Sequence, residues 1–522
     1  TAGGVMKYNG KTFVRLDPKS ENYNFELNTG MEINRTKDGI YWFTDWSGAG
    51  VVKYDPSSII NTTQADSFPQ VPIVDIQADK NRNLWIATQG QGLIQLSDGK
   101  IKNQLKIEDG LRTNTLNNVD IDIFGNIWIA TNSGLSKFDG RRVYTYTKDD
   151  GLPTNQIKSL LTDERGFVWF TSFNGLTRFD GKEAITYNEE QGLTKERTWG
   201  MSIAKGGPDN LIVIGIQNYG LSIFDGENFK NYTSENGLQD NRITCADIDS
   251  DGNIWIGTDG SGVLRFDGKS FVQFTRKDGV ANPEIWNIYI DDYDKVWIGT
   301  YGGGVGVFDG ETWGTLDRRD GLVGNGISAL TSFGNNVYWF GSGDGFGLSE
   351  YRPTSSPGFA RIKEIVTSND RYIIKNDADQ FPESITNNRL SFIVNAANYN
   401  THKDKQKFRY RIKEVSENWS SPSMNPIFEW VPKNAGNYTF EVQSIDRDLN
   451  YSKPVQASFT ILPPWYARAS IYLPLLGLFS FFSFISYSSY SRFKKQKNFN
   501  QKLIRDRQKR EKEDRKILEN KN

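Results

Sequence analysis

Residues 127–140 read IWIATNSGLSKFDG. An apolar strand centred on Trp128 is followed by a short polar step. A second alternating strand then ends on Phe-Asp-Gly. The phrase recurs along the chain, with its Trp at Trp42, Trp85, Trp128, Trp169, Trp255, Trp297 and Trp339. The spacings are 43, 43, 41, 86, 42 and 42, and the long interval hides an eighth copy, LIVIG, with Val213 at the Trp position.

Each copy continues alike. GLTRFDG (175–181) and GVGVFDG (304–310) are further second strands, VYTYT (143–147) and FVQFT (271–275) are third strands, and ITCADID (243–249) is a fourth. A DGL-type turn intervenes, as at Asp150-Gly151-Leu152 and Asp320-Gly321-Leu322. Asp-Gly and Asn-Gly supply the positive φ of tight turns, and period-two alternation marks antiparallel strands. Four short strands per repeat of about 42 residues make one propeller blade, its Trp expected in the wedge between neighbours. The ring has seven or eight blades. Joining GGVMKYNGKTFVRL (3–16) to the strands after Trp339 would close eight. Seven would leave the first strands over from an upstream propeller. The stretch Pro56–Pro72 is expected to distort a strand or replace it by a loop.

The motif W-[IF]-[AG]-T, G-[LV]-x-x-F-D-G, D-G-L resembles the two-component-regulator propeller repeat, over residues 1–352. Past the linker Pro353–Gly358, alternating segments at 360–366, 389–396, 408–415 and 438–445 suggest an immunoglobulin-like β-sandwich, 353–462. Phe408, Tyr410 and Trp419, then Gly436, Tyr438, Phe440 and Val442, then Ile461, Pro463, Pro464 and Trp465 resemble the three-tyrosine domain that follows such propellers. Its aromatics are expected in the sandwich core.

Residues 469–491 carry no charge, long enough for a membrane helix, after a pre-membrane segment from 463. Tyr466, Tyr472, Tyr487 and Tyr490 lie near its ends. Residues 492–522 hold 13 Lys/Arg against 5 Asp/Glu, a net of +8, so the remainder carries −9 of the chain's total of −1. The positive-inside bias puts this tail in the cytoplasm and residues 1–468 outside. The tail reads either as a signalling helix that pairs with its twin or as a solvated basic helix near anionic lipid. The resemblance implies a bacterial inner membrane with residues 1–468 in the periplasm.

Across 522 residues the near-neutral balance excludes a whole-chain electrostatic case for nucleic acid. One Cys (Cys245) and one His (His402) exclude an internal disulfide framework and argue against His-based metal sites or triads. No motif implies a cofactor or catalysis. His402 is expected to be a solvated loop residue. Asp249-Ser250-Asp251-Gly252-Asn253 faintly suggests a calcium loop and reads as a turn.

The hairpin after each Trp strand varies most between copies, and equivalent hairpins share one face. Trp46, Gln89, Asn132, Phe173, Asn174, Tyr219, Asp259 and Tyr301 are therefore the candidate ligand residues, with aromatics and amides suited to an oligosaccharide. The resemblance implies the lipid-embedded, homodimeric sensor of a histidine kinase or hybrid two-component system, whose catalytic part lies outside these residues. A serine phosphatase, nucleotide cyclase or DNA-binding output, a membrane-anchored scaffold and a propeller enzyme are the alternatives.

Overall fold

The structure, a computed structural model, describes residues 6–8, 13–15, 30–37, 40–45, 50–54, 58–194, 201–207, 210–355, 357–367, 371–374, 384–398 and 401–519. Seven four-stranded antiparallel blades form the propeller. Their innermost strands are Ile73–Ala78, Leu116–Ile121, Ile157–Thr162, Met201–Gly206, Ile243–Ile248, Ile285–Ile290 and Ile327–Ser332. Each lies beside the next, and the seventh returns to the first.

The ring closes on Ile59–Thr62, which pairs with Leu348–Tyr351 as the outer strand of blade 7. Ser349 Oγ donates to Asn61 Oδ1 at 2.7 Å, and Asn61 Nδ2 to Gly321 O at 2.9 Å. Ring closure thus involves neither the pair Met6–Tyr8 and Phe13–Arg15, which pair with each other, nor the Trp42 repeat. That repeat builds a separate sheet of Gly30–Arg35, Tyr41–Asp45 and Gly50–Tyr54. The stretch Pro56–Pro72 is not a distortion. Its described part is a regular outer strand and turn in which Thr63 N donates to Asp66 Oδ2 at 2.9 Å, as Thr147 N does to Asp150 Oδ2. Val213 also sits in a regular strand, paired on both sides.

The repeated Trp fills the interblade wedge. Trp128 packs on Phe179 of the next blade, Trp169 on Phe224, and Trp255 on Phe308, with centroids 5.6–6.4 Å apart. A buried indole N–H needs an acceptor. Asp79, Asp122, Asp163, Asp249 and Asp291 accept from Trp85, Trp128, Trp169, Trp255 and Trp297 at 2.8–3.1 Å. The other oxygen of Asp249 accepts from Asn253 N at 2.8 Å, so the faint calcium loop is one instance of this turn.

The following domain has two four-stranded sheets, one of Phe359–Val366, Arg371–Ile373, Leu390–Ala397 and Ile427–Trp430, the other of Ser384–Ile385, Lys407–Ile412, Gly436–Ile445 and Val455–Leu462. Phe392 stacks on Phe440 at 4.1 Å, and Phe408, Tyr410 and Val442 join this core. Trp419 differs from expectation. It is half-buried, with the guanidinium carbons of Arg409 and Arg411 5.0 and 4.5 Å from its ring, so a polar bracket replaces core packing. His402 begins a short 3₁₀ turn, its Nδ1 accepting from Asp404 N at 3.4 Å.

The sandwich docks on the outer strand of blade 6, Trp313–Leu316. Lys405 lies between Asp317 and Asp320, Arg447 donates to Asp320 at 3.1 Å, and Tyr451 donates to Asp309 at 2.8 Å. Asp448 accepts from Tyr351 and Thr354 across the same junction. Burial favours protonation of Asp317, but Arg319 and Lys405 outweigh it and pull its carboxyl down to about 2. Gly314 makes the close approach possible, since a Cβ there would lie 2.7 Å from Arg447 O. At the same register other blades carry Ile60, Tyr144, Ile185, Lys230 and Val272. Gly314→Val should undock the sandwich. Limited proteolysis should then cut within 352–358 at least about tenfold faster, as expected when docking protects a linker, with the propeller intact. Unchanged protection would show that the socket tolerates a side chain.

A helix, Ala469–Glu519, follows the last sandwich strand through Pro463 and Pro464. It contains a segment long and apolar enough to cross a membrane, and none of that segment is buried by the rest of the protein.

Candidate channel-mouth site

Adjacent innermost strands are not paired with each other, so their edges need partners from side chains. Asp75 Oδ2 accepts from Val119 N at 3.0 Å, Asn118 Oδ1 from Leu160 N at 2.8 Å, and Asp120 Oδ2 from Thr162 N at 2.6 Å. Asp247 Oδ2 accepts from Ile290 N at 2.9 Å. Each side chain reaches the following blade. These groups line a central channel of about 570 Å³. The carboxylates are therefore engaged as structural acceptors.

The register shifts at the second residue of six innermost strands, at Val74, Asn117, Lys158, Thr244, Trp286 and Ser328. Such bulges re-aim side chains at the rims of closed sheets. Asn117, Thr244 and Ser328 staple onward, donating to Ile157 O, Ile285 O and Ile73 O at 2.5–2.6 Å. Lys158 and Trp286 reach the mouth. Lys158 Nζ lies 3.4 Å from Asn132 Oδ1 and 5.7 Å from the Phe173 ring centroid. Trp286, 39% exposed, meets the ring of Tyr301, 54% exposed, at 4.8 Å.

The described propeller hairpins among those named from sequence lie on one face, beside the start of the innermost strands. Asn132 and Phe173 meet through Lys158, and Asn117 Nδ2 donates to Asn132 Oδ1 at 3.0 Å. Tyr301 meets Trp286. Gln89 bridges to Thr115 and Asp259 to Glu284, on separate blades. Asn174, next to Phe173 in the same hairpin, and Tyr219, on blade 4, are exposed. Trp46 lies outside the described residues. Sequence reasoning missed Trp286, Lys158 and Asn117. For Trp286 a signal was present, because it falls off the 42-residue period between Trp255 and Trp297.

The two-component regulator propeller family matches residues 237–260 and 279–302, and the Y_Y_Y domain matches 400–462. The chain carries both modules. Its fold is that of the extracellular domain of the hybrid two-component system BT3049 from B. thetaiotaomicron, at TM-score 0.55 and 20% identity, covering 87% of this chain and 64% of that one. The chain thus spans just under two thirds of that structure. The extracellular domain of BT4673 from B. thetaiotaomicron gives TM-score 0.48, 17% identity and 88% and 66% coverage. Virginiamycin B lyase from Staphylococcus aureus gives 0.47, 13%, 56% and 98%. No curated protein matches. Among the described residues, one helix is apolar enough to carry this propeller and Y_Y_Y domain on a membrane.

Burial pushes the Asp75 carboxyl up to about 7, against lowering hydrogen bonds from Val119 and Ile76. The same cause raises Asp120 and Asp247 to about 6. A carboxyl raised above its unfolded value contributes stability while protonated, and that contribution is lost as pH rises through the folded value. The melting midpoint should therefore be a few degrees higher at about pH 5 than at about pH 8 by circular dichroism, and Asp75→Asn should shrink the difference. A midpoint rising over this window contradicts the assignment.

Proposed function

We propose that this chain is the ligand-sensing and membrane-crossing part of a bacterial two-component receptor with a histidine-kinase output. One observation carries the reading. The last strand of the Y_Y_Y domain leads through two prolines into one unbroken helix, apolar at first and basic beyond Arg492. The propeller and Y_Y_Y domain face the periplasm, the helix crosses the inner membrane, and its basic part enters the cytoplasm and pairs in a homodimer.

The ligand is a small oligosaccharide at the channel mouth. Trp286 and Tyr301 offer aromatic faces, and Asn117, Asn132 and neighbouring hydroxyls suit sugar hydroxyls. The sugar binds two receptor arrangements unequally and so shifts their populations.

Because a helix turns about 100° per residue, one to seven alanines inserted after Lys497 of the intact receptor should make reporter output rise and fall with a period near 3.6. Output that stays flat, or falls steadily with length, would sink the rigid-helix reading. On a glycan array, the detergent-solubilised protein should bind saturably without turnover. Trp286→Ala should weaken binding about tenfold, the loss of one stacking contact. Turnover would favour an enzyme instead.

A further inference from the structure

In blades 1, 4 and 6 one asparagine ties the mouth hairpin to the turn leading to the next blade. In blade 4 it is Asn241, whose O accepts from Gly220 N and whose Oδ1 accepts from Ser234 N. In blade 6, Asn325 O accepts from Gly304 N at 2.8 Å, and Asn325 Oδ1 accepts from Arg318 N at 2.8 Å. Asn114 does the same for Gly92 and Ile107, and Asn155 Oδ1 accepts from Lys148 N. Gly304 closes the hairpin that carries Tyr301, and Arg318 opens the 3₁₀ turn Arg318–Asp320.

What differs is where blade 6's turn leads. The equivalent Asp109 and Asp150 cap their own turns from exposed positions. Asp320 caps Asp317 N at 2.9 Å and also holds Lys405 and Arg447 of the sandwich. The Asp320 side chain is fully buried, with Lys405 8% and Arg447 7% exposed. Buried charge pairs break at high cost when a partner leaves, so they make a stiff link.

We propose that the mouth of the channel and the sandwich are energetically coupled through the blade 6 turn Asp317–Asn325. The path runs Tyr301, Gly304, Asn325, Arg318, Asp320, then Lys405 and Arg447. The far end of the same outer strand, held by Tyr451 on Asp309, lies on the opposite face and is outside the path. The signalling meaning rests on the mouth being the ligand site, but the coupling itself needs no ligand. Coupling free energy is reciprocal, so loosening the sandwich side must loosen the mouth.

Hydrogen exchange by mass spectrometry on the full chain in detergent tests this. Lys405→Met should speed exchange of peptides covering 301–306 and 317–322 by roughly tenfold, local opening without global unfolding. The matching peptides of blade 2, 131–136 and 147–152, should not change. Asp320→Asn keeps the turn cap, as Asn236 does for Thr233 N at 2.6 Å, and should act like Lys405→Met. Tyr451→Phe should leave the mouth unchanged. Faster exchange confined to the interface, or equal in all blades, overturns the proposal. A blank glycan array would instead count against the mouth as a sugar site and leave the coupling standing.

Discussion

Everything in the propeller depends on how seven unpaired strand edges are satisfied around one axis. Neighbouring innermost strands cannot complete a ladder with each other, so amides and carbonyls face a gap where an orphaned polar group is costly. Asp, Asn, Thr and Ser fill that role from blade to blade, ending with Ser328 on Ile73 O. This explains why a polar-lined channel is a poor place to look for chemistry. Its carboxylates already hold backbone N–H groups. The side chains that project toward solvent lie at the mouth, on bulge residues such as Trp286.

The same economy shapes the junction. Ion pairs of this burial give little net stability compared with a well-packed apolar contact, but they punish misplacement. Lys405 and Arg447 share Asp320, and Asp448 is shared by Tyr351 and Thr354. Ile445 and Leu449 supply apolar area beside Trp297 and Tyr351. Geometry comes from the charges, adhesion from the aliphatics.

Much of this was legible in the Trp period, because a wedge between blades must be filled identically each time. The acceptor was legible too, and was overlooked. An Asp stands six residues before Trp85, Trp128, Trp169, Trp255 and Trp297, while Val213 has Gly207 there and Trp339 has Phe333. Trp339 accordingly keeps a buried N–H without a partner. Blade number was not legible from counting Trp, since the Trp42 copy obeys the same local rules. Pairing of Ile59–Thr62 with the last repeat decides it, and that contact joins positions nearly 300 residues apart. The rim hairpins showed themselves by variation. Trp286 stood out only as a Trp off the period, and its direction was not legible, because whether an innermost-strand residue faces the core or the mouth turns on a one-residue shift in register.

Gly314 carries a further consequence. A seven-fold repeat offers seven nearly equivalent outer edges, and symmetry alone gives the next domain no preferred azimuth. Deleting one side chain on one edge breaks that degeneracy. The exposed ring pair of Trp286 and Tyr301 belongs to the same blade, so the choice of azimuth places that pair and the attachment on a single spoke of the wheel.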